Sequence, residues 1–117
     1  MDEKEILGKF LPKIIVEWFD IIRIDDDEQA ERMDIYLDER KVIPEELKGK
    51  QVVSDGFTQA SVIQDFPIRG RGVYLHLRRR KWKDKDTGRI HSRKFDLRYE
   101  GTELTKEFVA FLKETNR

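Results

Sequence analysis

Within twelve positions the chain carries Arg78, Arg79, Arg80, Lys81, Lys83, Lys85 and Arg89, with Trp82 among them. Guanidinium and ammonium groups bind phosphate oxygens, and an indole can stack on a base, so the stretch has the chemistry of a nucleic-acid contact. Lys83-Asp84-Lys85-Asp86-Thr87-Gly88 supplies a polar hairpin tip with a glycine available for positive φ. A two-stranded ribbon of this kind fits the major groove of a duplex, and interleaved aromatics also suit single strands. Composition leaves the two open.

Other chemistries find weaker support. His76 and His91 are the only histidines and sit on the two arms of the expected hairpin. With no cysteine in the chain and no suitably spaced carboxylates nearby, they are expected to be structural or solvent-exposed rather than metal ligands. Ser54, Ser61 and Ser92 stand in no nucleophile-elbow context. Asp25-Asp26-Asp27-Glu28 lacks the spacing, central glycine and terminal glutamate of a calcium loop, and is expected to be a solvated turn. Arg69-Gly70-Arg71-Gly72 precedes no helix that could cradle a phosphate. The residues therefore predict a protein that is not an enzyme and takes neither metal nor cofactor.

Charge points the same way. The 117 residues hold 24 basic and 24 acidic side chains, for a formal net of zero, but the balance is split. Residues 1–66 hold 17 acids against 9 bases, and residues 67–117 hold 7 against 15. A split of this kind predicts an anionic partner for the second half, or attraction between oppositely charged halves in one fold or a homodimer. No run nears the roughly 20 apolar residues of a membrane helix, and the acidic start lacks the basic region of a signal peptide. A soluble, cytoplasmic protein without a membrane partner is the expectation.

The pattern around the cations predicts one α+β domain over 1–117. Asp2 and Glu5 have capping-pair spacing, and Ile6, Leu7, Phe10, Leu11 and Ile14 recur at helical intervals interrupted by Pro12, which predicts two short helices within 1–18. Residues 19–99 read as antiparallel β structure in two hairpins. The first joins Phe19–Ile24 to Met33–Leu37 through the acidic turn, 39–56 is a connection with at most a turn of helix, and Phe57–Phe66 is a strand before Pro67 and Gly70. Val73, Leu75 and Leu77 alternate with Tyr74, His76 and Arg78, and continuing that period to Trp82 puts Arg80 and Trp82 on the polar face. The return strand runs from Arg89 to Tyr99. A last helix over 102–116 would be capped by Thr102 and carry Leu104, Phe108, Phe111 and Leu112 as its apolar stripe.

Three segments together resemble a known family: Val53-Ser54-Asp55-Gly56-Phe57, then Ile63-Gln64-Asp65-Phe66-Pro67-Ile68-Arg69-Gly70, then Val73 through Trp82. They are similar to the amino-terminal region of bacterial insertion-sequence transposases, in which a basic strand precedes a helix-turn-helix and a DDE-type catalytic domain. The likeness covers about residues 19–117 and implies a zinc-ribbon-like pair of hairpins. Relatives commonly hold this region together with paired cysteines, whereas the corresponding places here, around Ile43-Pro44 and near Trp82 and Gly88, have none. The chain thus resembles a stand-alone N-terminal region protein. That implies non-catalytic recognition of duplex DNA at transposon ends, with Arg78, Arg79, Arg80, Lys81, Lys83, Lys85 and Arg89 on phosphates and Trp82 packing or stacking. An alternative expectation is an adaptor that docks a separately encoded transposase catalytic chain or self-associates through Phe108, Phe111 and Leu112.

Overall fold

The computed structural model describes residues 2–97 and 104–115. Two short helices, α1 (Glu3–Gly8) and α2 (Lys13–Trp18), flank Pro12. Asp2 caps α1 by accepting a hydrogen bond from the Glu5 backbone N–H at 2.8 Å. The strands are β1 (Phe19–Asp27), β2 (Arg32–Glu39), β3 (Val52–Phe57), β4 (Ser61–Ile68), β5 (Arg71–Arg78), β6 (Arg80–Asp84) and β7 (Ile90–Ser92), with a single 3₁₀ turn at Glu45–Leu47 before β3 and the helix α3 (Lys106–Thr115) after β7. The architecture is α+β and mostly strand, in a four-stranded sheet ordered β1-β2-β5-β4 and a three-stranded sheet ordered β3-β6-β7. Among the described residues, no helix is long and apolar enough to cross a membrane.

Several expectations are corrected. The first hairpin forms, but β1 runs on through Asp27, so Asp25 to Asp27 belong to the strand and the turn follows them. β2 and β5 pair in parallel, from Arg32 opposite Gly72 to Asp38 opposite Arg78, so residues 19–99 are not antiparallel throughout. Parallel neighbours need a long crossover, and here β3 and β4 lie within it. β3 falls inside the segment taken for a connection, because Ser54-Asp55-Gly56 breaks the apolar alternation that marks a strand. β4 continues through Pro67, which an edge strand tolerates. Its two-residue turn to β5 places Arg69 and Gly70 both at positive φ, as a type I′ turn requires.

The expected long strand through Val73 and Trp82 is two strands. It breaks at Arg79, whose backbone bonds to Thr58 in both directions (Arg79 N–H to Thr58 Oγ1 at 3.1 Å, Thr58 N–H to the Arg79 carbonyl at 2.8 Å). Past this residue the chain enters the second sheet, and the buried parity changes from Val73, Leu75 and Leu77 to Trp82 and Asp84. A slip of one residue turns every later side chain to the opposite face. β7 ends at Ser92, and residues 93–97 continue without ladder pairing while still turning Phe95 and Leu97 onto the core. Arg98, Tyr99 and Thr102 lie outside the described residues.

The main core lies between one face of the four-stranded sheet and the helical amino-terminus: Leu11, Ile15 and Phe19 meet Ile35, Leu37, Ile63, Val73, Leu75 and Leu77, with Leu97 closing one side. Phe95 packs its ring 4.9 Å from that of Phe19. At the other side of β4, Thr105 acts as the N-cap of α3. Its hydroxyl accepts the Phe108 N–H at 3.2 Å and donates to the buried Asp65 carboxylate at 2.9 Å, and its own N–H reaches the Gln64 carbonyl at 3.0 Å. Phe108 and Phe111 then stand 5.5 and 5.3 Å from Phe66.

Candidate nucleic-acid interface

The eight residues singled out from the sequence separate into three environments. Arg78 ends β5 on the outer face of the four-stranded sheet, where it forms a bidentate pair with Asp38 of β2, at 2.6 Å from Nε and 2.5 Å from Nη2. Its guanidinium also lies 4.4 Å from the centre of the Phe57 ring. Such a paired group has most of its hydrogen-bonding capacity already in use. Asp38 in turn holds the Arg78 guanidinium firmly protonated, through that same pair of hydrogen bonds.

Arg79 and Arg80 are structural. Arg79 donates from Nη1 to the Arg93 carbonyl at 3.2 Å. Arg80 donates from Nε to the Glu39 carbonyl at 2.9 Å, and its backbone N–H donates to the Glu39 carboxylate at 2.9 Å. Glu39 is fully covered, with Arg93 Nε 3.5 Å from its second oxygen, and burial pushes its carboxyl above the usual range. The Arg93 guanidinium stacks over Trp18 at 4.2 Å. These contacts fasten the junction between the two sheets.

Trp82 is only 2 % exposed, on the inner face of the second sheet, and cannot offer its ring to a base. It lines a groove of about 460 Å³ with Lys41, Ile43, Val52, Val53 and Ser54. The alternation of an unbroken strand predicts the polar face for it; the break at Arg79 reverses the parity.

The remaining cations behave differently. Lys81 and Lys83 alternate with the buried Trp82 and Asp84, so they share the outer face of the second sheet. Lys85 and Arg89 belong to the β6–β7 hairpin tip, which is closed by the Asp84 N–H bonded to the Arg89 carbonyl at 2.9 Å. The buried Asp84 carboxylate organises the turn by accepting the Asp86 and Thr87 N–H groups at 2.9 and 3.4 Å, and these bonds, the Asp86 one foremost, hold its pKa down. Lys83, Lys85 and Arg89 are exposed and Lys81 is half-buried. None of the four makes an ion pair with a described residue.

A second constellation was not legible as a group. On the outer face of β2 and β5, Arg32 is bidentate to Asp34 at 2.8 Å for each bond and lies 3.9 Å from the centre of the Tyr74 ring. His76 Nε2 is 2.6 Å from Asp34 Oδ1, and its ring stacks on Tyr36 at 4.3 Å. Arg23 covers the Tyr36 ring at 4.1 Å. The Arg32 pair, followed by His76, holds the Asp34 carboxyl below its usual range. Parallel register, which sets Asp34 opposite Tyr74 and Tyr36 opposite His76, creates the network. Each ring here already carries a cation or a ring from the same chain, so the face is satisfied internally. Among the described residues, no three His, Asp or Glu side chains gather as a metal site.

Comparison with protein-family models, curated proteins and solved structures returns no match.

Proposed function

We propose that the chain is a non-catalytic DNA-binding module of a transposition system, acting in the cytoplasm, whose β6–β7 hairpin carries the phosphate contacts. One observation carries the reading: Lys81, Lys83, Lys85 and Arg89 of one hairpin have no ion-pair partner among the described residues, whereas Arg71, Arg78 and Arg93 of the same half are each matched to an acid of the first half. Charge that the fold has not neutralised is available to a polyanion. The likeness to insertion-sequence transposase amino-terminal regions supports the system. So does the groove that both Ile43 and Trp82 line, near two of the places where the transposase regions that the chain resembles carry cysteines. No thiol stands at either place, so a paired-cysteine zinc site does not fit this chain; Trp82, Leu47 and Pro44 are buried.

The test is a filter-binding titration of duplex DNA over a range of salt. The expected log–log slope is about −0.9 for each phosphate engaged. No complex with any duplex at low salt removes the proposal.

A second reading, docking onto a transposase catalytic chain or self-association, is favoured by α3, where Phe111 is 45 % exposed beside Leu112. Sedimentation at two protein concentrations and a pull-down with the catalytic chain test it. A monomer without a partner counts against it.

A further inference from the structure

On the outer face of the second sheet, Val53, Lys83 and Ile90 form one cross-strand row. Lys83 pairs with Val53 of β3 on one side and with Ile90 of β7 on the other. Both aliphatic side chains are open to solvent, Val53 at 38 % and Ile90 at 48 %. Lys81 follows on the same face opposite Ser92, and Arg89 precedes Ile90 at the tip.

Two features of this row select the partner. Its aliphatic groups are set among unpaired cations, so whatever covers them is polyanionic and also presents apolar groups. Trp82 and its cross-strand partner His91 sit on the opposite face of the sheet, which leaves no ring on the described row for an unpaired base to stack upon. Duplex DNA meets both conditions, because its major groove, about 12 Å wide, spans the roughly 10 Å from β3 across β6 to β7 and displays the thymine C5-methyl groups between two phosphate backbones.

We infer that Ile90 and Val53 contact thymine methyl groups in the major groove of duplex DNA while the surrounding cations hold the backbone. The inference rests on the DNA-binding reading above and adds how the hairpin enters the duplex. Apolar contact of this type strengthens binding without releasing counterions, so it changes affinity and leaves the salt slope alone.

The probes are an alternating dA–dT duplex and its dA–dU counterpart, which lacks only the methyl groups. The wild-type chain is expected to bind the dA–dU duplex more weakly, by roughly fourfold for each methyl contacted, with the same salt slope on both. Ile90→Ser, an exposed change that removes every side-chain methyl, is expected to reduce that preference. Equal wild-type binding to the two duplexes, still steeply salt-dependent, overturns the inference and leaves DNA binding standing. So does an Ile90→Ser, Val53→Ser double variant that folds and discriminates as the wild type does. Absence of binding to either duplex at low salt removes both proposals.

Discussion

Glu39 and Arg80 bond to each other twice: the Arg80 N–H donates to the Glu39 carboxylate and the Arg80 Nε donates to the Glu39 carbonyl, each at 2.9 Å. The last residue of β2 thereby fixes the first residue of β6, and with it the change of sheet on which the hairpin's orientation depends. Glu39→Leu leaves the Arg80 N–H without its acceptor and the Arg93 guanidinium without its ion-pair partner. A loss of about 3–5 kcal/mol in urea unfolding is expected, as for other broken buried pairs.

Paired and unpaired cations predict opposite phenotypes. Lys83→Ala with Arg89→Ala is expected to weaken duplex binding and lower the salt slope by about 0.9 per contact removed. Stability should be unchanged, since neither side chain has an ion-pair partner among the described residues. Arg78→Ala removes the Asp38 pair instead; it should cost about 1 kcal/mol in unfolding and leave the slope as it was. Reversal of these two patterns in parallel binding and unfolding titrations would show the cations to be wrongly assigned.

Trp82 is a core residue in this fold. Trp82→Ala should lose about 3–5 kcal/mol of stability. Trp82→Leu, kept below its unfolding temperature, is expected to bind duplex with wild-type affinity, whereas a stacking role would make Trp82→Leu lose binding and Trp82→Phe keep it.

Thr105 joins α3 to β4 through one hydroxyl. Thr105→Ala removes the cap on Phe108 and the donor to Asp65 together, for an expected cost of about 1–3 kcal/mol, and Thr105→Ser should recover most of it. Hydrogen exchange at the Phe108 amide reports the cap directly.

Asp34 and Asp65 give stability opposite dependences on pH. The Asp34 carboxyl is held below its ordinary value by Arg32, so its contribution is present above about pH 3.9 and is lost as pH falls through its folded-state pKa. Asp65 is raised by burial, so its contribution is greatest below about pH 3.9 and is lost as pH rises through its folded-state pKa. Denaturation midpoints against pH should therefore show a smaller acid-side fall in Asp34→Asn, the lowered Asp84 carboxyl keeping part of it. In Asp65→Asn, whose amide oxygen can still accept from Thr105, the decline toward neutral pH should flatten.

Local pattern was enough to show an α+β chain with β-rich character, and to locate the first hairpin, the aliphatic side of β5 and the density of cations after Arg78. These follow from periodicity and composition, which each residue carries with it. Pairing partners were another matter. The parallel register of β2 and β5, which brings Asp34 to His76 and Asp38 to Arg78, joins residues some 40 positions apart and leaves no local trace. The break at Arg79 is equally silent, because its cause is a bond to Thr58 and a buried acid at Glu39 rather than a glycine or proline in the strand. That single tertiary event turned Trp82 inward, assigned Arg78, Arg79 and Arg80 to the framework, and left Lys81, Lys83, Lys85 and Arg89 with the open face. Sequence determined how many cations the second half carries; the fold decided which of them remain unneutralised, since ion pairing depends on distance in space and not along the chain.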